Sequence, residues 1–184
     1  MSAPKPIAAV TSLATSNKRL RGKDRPESGP SGRTEVSLGD RPAMVRFLNQ
    51  ALATEIICAL RYRRHHFTAR SLGAERIAAE FLLHADEELS QADLIAERIV
   101  QLGGQPDFAP DTLNERSHLE YVEGGSVVEM IRENLAAKRI AIDSYRGLVE
   151  YLGDTDPASR RMLEGILALE QSHADELLDL LQGE

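Results

Sequence analysis

Residues 74–104, AERIAAEFLLHADEELSQADLIAERIVQLGG, decide the fold. Ile77, Phe81, Leu82, Leu89, Ala92, Ile95, Ala96 and Ile99 recur at the helical period, and charged residues fill the opposite face. The pattern predicts a helix from about Ala74 to Leu102, which Gly103-Gly104 ends as C-cap glycines do. One residue on the apolar side does not belong there by hydropathy. It is Glu88.

Three further helices share this character. Phe47, Leu48, Ala51, Leu52, Glu55, Cys58, Ala59 and Tyr62 step by three and four through a helix that begins after Asp40, a predicted N-cap, with Pro42 in its first turn. It runs to about Ser71 and stops at Gly73. Ser126 and Glu129 form a capping-box signature for a helix to about Leu152. Asp156-Pro157 supply an N-cap and an N1 proline for a last helix ending near Leu181. The links between helices are short, long and short. The long one, residues 105–125, contains Pro106, Pro110 and Gly124-Gly125. Short links force antiparallel neighbours, whereas a link this long can travel the length of a bundle. The expected architecture is all-α: two antiparallel hairpins joined by one crossover.

Composition agrees with helices. Aromatics make up 4% of the chain and Trp is absent, which disfavours a sheet built on aromatic and β-branched residues. No apolar run approaches the ~18 residues that span a bilayer, so a cytoplasmic protein without a membrane partner is expected. The single Cys58 excludes an internal disulfide and reads as a small core residue. Residues 1–39 are rich in Pro, Ser, Gly, Lys and Arg and read as a disordered basic tail ahead of a bundle at 40–184. Residues 1–40 carry seven basic side chains against four acidic ones; with a net charge of −7 overall, the tail is +3 and the remainder −10.

The chemistry is carried by acids where none should be. Glu55 stands among Leu48, Leu52 and Ala59, Glu88 beside Ala92 and Ile95, and Glu170 between Ile166 and Leu177, with His173 one turn on. Each falls near mid-helix. An ionised carboxylate on an apolar face is costly unless it is paired or binds a metal. Any one of these acids can reach solvent from a stripe edge; three on separate helices, with a histidine, point instead to a metal site.

At these residues the chain resembles a family. Asn49–Tyr62 (NQALATEIICALRY), Glu88–Ile99 (ELSQADLIAERI) and Glu170–Asp175 (EQSHAD) are similar to the first, second and fourth helices of bacterioferritin and Dps-like ferritins. The resemblance spans about residues 43–181 and implies the ferritin-like bundle, whose di-iron site takes a Glu from each of two helices and Glu-x-x-His from each of the other two. It implies that Glu55 is a terminal carboxylate, Glu88 and Glu170 bridging ligands, His173 the histidine of the second iron, and Tyr62 the catalytic tyrosine beside the centre. Two positions depart. Gln91 replaces the second-helix histidine and offers an amide oxygen, a poorer iron ligand. Lys138 falls where the third-helix glutamate belongs, and an ammonium has no lone pair to donate. Three carboxylates and one ammonium leave −2, enough for one divalent ion. The lysine either bridges Glu88 and Glu170 in place of the second iron or carries its charge along its stem to solvent.

The resemblance further implies an iron-binding protein of storage or detoxification, with one or two ions per subunit and weakened ferroxidase activity. The alternative is an inactive subunit serving assembly or DNA association. Leu89 stands where bacterioferritin carries its haem-ligating methionine, so no haem is expected. A fifth helix is missing after Leu181, which implies a Dps-like shell or a smaller homo-oligomer. The basic run Lys18–Arg25 is a candidate DNA contact, against the plainer reading of a solubilising tail. His84, one turn before Glu88, can approach the edge of the site as a ligand, against the plainer reading of a packed or pore-lining histidine. His65 and His66 read as a solvated helix end or subunit contact, and His118 has no partner at ligand spacing.

Overall fold

The computed structural model describes residues 41–183. Helix α1 (Arg41–Ser71) pairs with α2 (Glu75–Gln101), and α4 (Val127–Leu152) with α5 (Pro157–Gln182). The short helix α3 (Leu113–Arg116) lies in the crossover between the hairpins. This is the expected all-α, ferritin-like bundle with its long link between the second and third long helices. Asp40 and the tail fall outside the described residues, so the N-cap and disorder readings concern residues not described.

The stops and starts follow the local chemistry. Gly73, Gly103 and Gly153 take positive φ, the conformation that ends each helix at little steric cost. Ser126 and Glu129 form both halves of the capping box. Asp156 accepts from the Ser159 amide at 3.1 Å, and Arg98 reaches from α2 to donate to both its oxygens at 2.9 and 2.8 Å. That bidentate pair ties the start of α5 to the end of α2.

The core is divided. One apolar cluster gathers Leu48, Leu52, Ile95, Ile99, Leu148, Leu163 and Ile166; the other gathers Ile77, Phe81, Met130, Ile131, Leu135 and Leu177. Along each long helix the switch from one cluster to the other occurs at a polar residue. Leu52 and Tyr62 flank Glu55, Ala85 and Ala92 flank Glu88 and Gln91, Leu135 and Ala141 flank Lys138, and Ile166 and Ala174 flank Glu170 and His173. A polar layer thus crosses mid-bundle.

The crossover is stitched onto α1. Asn49 bonds to the Gln105 carbonyl and the Asp107 amide, Thr54 accepts from the His118 amide, and Arg116 donates to the Asp107 carbonyl. Leu113 of α3 packs on Ala53 and Ile57, which gives that helix its place; four residues are too few to leave a periodic signal in the sequence.

Three expectations need correction. His65 and His66 are not solvated: both are buried, His65 against the Val122 carbonyl and Asn134, His66 against the Ala78 carbonyl. Leu89 is not on the buried side but 38% exposed. Helix α1 does contain a window long and apolar enough, by length and composition, to cross a bilayer. More than half of that window is buried inside the bundle, which accounts for its apolarity. Cys58 is a buried core residue, as expected.

Replacing Asp156 with Ala removes a cap and leaves Arg98 without its partner. Urea unfolding is expected to show a loss of about 2–4 kcal/mol. Ser126→Ala, a solvent-side cap, is expected to cost only about 1 kcal/mol.

Candidate metal centre

The polar layer brings together every site residue read from the sequence. Glu55, Tyr62, Glu88, Gln91, Lys138, Glu170 and His173 are each at most 2% exposed. The face that buries them is the same stripe that buries the leucines, so helix periodicity alone delivers four side-chain sets to one level.

Lys138 lies in the middle. Its Nζ donates to Glu88 Oε1 and, at 2.6 Å, to Glu170 Oε1. The stem does not carry the charge to solvent: Lys138 is 1% exposed, and its Nζ stands 5.7 Å from the Tyr62 ring centroid. Gln91 Nε2 approaches Glu170 Oε1 at 3.5 Å. His173 turns Nδ1 inward, 3.7 Å from Glu88 Oε1 and 3.8 Å from Glu170 Oε1, while Glu87 holds its Nε2 at 2.7 Å. A carboxylate behind an imidazole in this way orients the ring and raises its basicity toward a metal.

Tyr145, Glu87 and Glu176 were not among the residues read as functional. The Tyr145 hydroxyl donates to Glu55 Oε1. It stands seven residues after Lys138, two turns along the same stripe, and that spacing was the available signal. Glu87 and Glu176 look like ordinary surface acids in sequence, yet each meets a buried imidazole, His173 and His84 respectively. His84 is a packed histidine, stacked on His173 with ring centroids 4.2 Å apart. His118 has no hydrogen-bond partner for its ring among the described residues.

Proton affinities diverge within the layer. Burial, then the charges of Glu88 and Glu170, hold the Glu55 carboxyl well above its usual range. Burial also pushes Glu88 upward, but the Lys138 ammonium, which also donates to it, outweighs burial and holds Glu88 well below the carboxylate range. For Lys138 the desolvation that would lower it is overcome by Glu88 and Glu170, and the ammonium is retained. Burial, chiefly, raises the phenols of Tyr62 and Tyr145.

A set of ligand-type atoms has no partner. Glu55 Oε2, Glu88 Oε2, Glu170 Oε2, Gln91 Oε1, His173 Nδ1 and the Tyr62 hydroxyl are all buried without a hydrogen bond. Glu88, Glu170 and His173 also place one ligand atom each within 4.8 Å of one another. Buried polar atoms are ordinarily satisfied, and this many orphans in one layer fit the donor set of a metal ion.

Fold and site together define a helical bundle with a carboxylate-rich centre at its middle level. The ferritin-like domain family matches residues 45–183, and the chain belongs to the ferritin-like family. It is 29% identical to a bacterioferritin of Streptomyces coelicolor over 77% of this chain and 83% of that one. It is 35% identical to a nutrient stress-induced DNA-binding protein of Synechococcus over 69% and 74%. Among solved structures, the dodecameric thioferritin of Bacteroides fragilis, a bacterioferritin-related protein, superposes with a TM-score of 0.74 at 26% identity, covering 92% of this chain and 94% of that one.

Lys138→Met should leave Glu88 and Glu170 buried without their cation, costing about 3–5 kcal/mol in the metal-free protein at neutral pH. The deficit should shrink on acidification. In the native chain Glu88 is depressed, so its contribution is present above the unfolded pKa and is lost as pH falls. In the variant both acids lie above the unfolded value and are relieved by protonation. Urea unfolding at pH 7 and pH 4.5 measures the difference, and a deficit independent of pH would contradict this account.

Proposed function

We propose that this protein binds iron(II) for storage or detoxification at a single-ion centre, with iron oxidation slower than at a paired site. The observation that carries this reading is the division of the carboxylate oxygens. Lys138 engages Oε1 of Glu88 and of Glu170, whereas Oε2 of Glu55, Glu88 and Glu170 and Oε1 of Gln91 are buried without partners. Oxygens of this kind are the donor type that suits a hard to borderline divalent ion, and Glu88 and Glu170 share a ligand set with His173. The ammonium takes the place of the second ion beside His173.

The consequence is electronic. Reducing dioxygen to peroxide takes two electrons, and one iron(II) gives one. Two neighbouring ferrous ions meet that demand in a single encounter; one ion must find its second electron elsewhere. Tyr62 is assigned to the catalytic tyrosine by its match to the family, and with Tyr145 it supplies an oxidisable side chain at the centre. Burial and the charges of Glu88 and Glu170 raise the proton affinity of Glu55, so an ion competes with protons for this carboxyl and binds more strongly as pH rises.

Assembly follows the relatives. The Bacteroides protein is dodecameric, and we assign this chain to a closed homo-oligomer in the cytoplasm, with iron as its cargo and no haem. A second reading rests on Lys138 itself: a centre that already contains its own cation serves a subunit that turns nothing over and contributes to assembly or, through the basic tail, to DNA association. The DNA-binding Synechococcus relative favours that association.

Anaerobic iron(II) titration by calorimetry separates the two readings. The native chain should bind one ion per centre, with proton release seen as a dependence of the heat on buffer ionisation. Lys138→Glu combined with Gln91→His should bind two and oxidise them at least about tenfold faster on addition of dioxygen, a difference of ~1.4 kcal/mol in barrier. No binding at the native centre would favour the inactive subunit. Two ions in the native chain, oxidised as fast as in the double variant, would defeat the single-ion assignment.

A further inference from the structure

The groove between α2 and α5 carries a second set of ligand-type side chains. Glu80 and His84 stand one turn apart on α2 and Glu176 faces them from α5, with one ligand atom of each within 4.8 Å of the other two. His84 Nε2 is 2.8 Å from Glu176 Oε2. The ring is fixed in place. It is 0% exposed, lies nearly parallel to His173 at an interplanar angle of 24°, and meets the Tyr62 ring edge-on at 5.2 Å. Its Nδ1 is buried without a partner. Glu176 is anchored by the Ser172 hydroxyl, which donates to its Oε1 at 3.1 Å, yet 48% of its side chain is open to solvent. Glu80 is half-buried and makes no ion pair among the described residues.

We infer that Glu80, His84 and Glu176 form a separate site for a first-row divalent transition-metal ion, open to water along the groove. Ligands held about 2.0–2.2 Å from an ion and at right angles to one another lie about 3 Å apart. His84 and Glu176 already have that separation, and Glu80 needs only side-chain rotation to join them. The two carboxylates balance the charge of one divalent ion. An imidazole in the set favours zinc, iron or cobalt over calcium or magnesium, which prefer all-oxygen sites. A hydrogen bond between His84 and Glu176 alone would give Glu80 no part.

The position adds a role. His84 also belongs to a ligand set with Glu87 and His173, and His173 faces Glu88 and Glu170 with its other nitrogen. An ion in the groove therefore stands beside the stacked imidazole pair that separates it from the buried centre. The assignment of the groove site itself does not depend on how many ions the buried centre holds.

Cobalt(II) titration of the full chain, followed by visible absorption and calorimetry, tests this. Glu80→Gln with Glu176→Gln alters only solvent-side carboxyls, and unchanged thermal melting confirms that the fold survives. Glu55→Gln disables the buried centre instead. The native chain should show a cobalt step that the groove variant loses or weakens at least about tenfold, ~1.4 kcal/mol, and that Glu55→Gln retains. His84→Asn should lose the same step together with its imidazole-dependent absorption. If the groove variant takes up cobalt with the stoichiometry and affinity of the native chain, His84 and Glu176 are a hydrogen-bonded pair and no metal site exists there.

Discussion

An ammonium group at the centre of the core sets the terms for the rest of this bundle. Glu88 and Glu170 are too deeply buried to ionise against each other without a positive charge between them. Lys138 supplies it from the fourth face of the layer. Where the family uses a metal ion as the cation, this chain uses one of its own side chains for part of that task. The folded state therefore does not wait on iron for its internal charge balance. On the proposed reading, the cost is a ligand position that a lone pair would have filled.

The division of the core follows from the same layer. Apolar clusters on both sides bury large side chains fully, and the polar level between them offers little hydrophobic stabilisation of its own. Its stability comes from mutual neutralisation. Lys138 bridges two acids, Tyr145 donates to Glu55, and Glu87 orients His173. Orphaned oxygens remain in that network, and a network left incomplete within a low-dielectric layer is costly in the metal-free protein. The proposed ion would relieve this cost. The helix ends outside the layer are secured independently by the Arg98–Asp156 clamp and the Ser126–Glu129 box.

Some of this was legible in the residues. Glu55, Glu88 and Glu170 interrupt apolar stripes, and such interruptions are visible because a carboxylate is the side chain least at home there. Glycine pairs and capping residues marked the helix ends to within a residue or two. Lys138 was different. A lysine on a helix is ordinarily a solvated surface residue, and only its match to a glutamate position drew attention to it. Tyr145 left a faint trace, its two-turn spacing from Lys138. Glu87, Glu176 and the buried pair His65 and His66 left none, because their burial depends on which neighbouring helix or loop covers them.

By itself the sequence determined the number, ends and amphipathic faces of the long helices, and with them the level at which polar side chains meet. These are properties of local periodicity and of residues a few positions apart. Tertiary structure decided the direction of the Lys138 stem, the partner of each imidazole nitrogen and the covering of Arg61 and His65 by α4 and the crossover, where Asn134 and the Glu120 carbonyl respectively receive the guanidinium. Those outcomes turn on contacts between residues from twelve to more than ninety positions apart. A flexible side chain has several low-energy paths from one backbone position, and only the packed neighbours select among them.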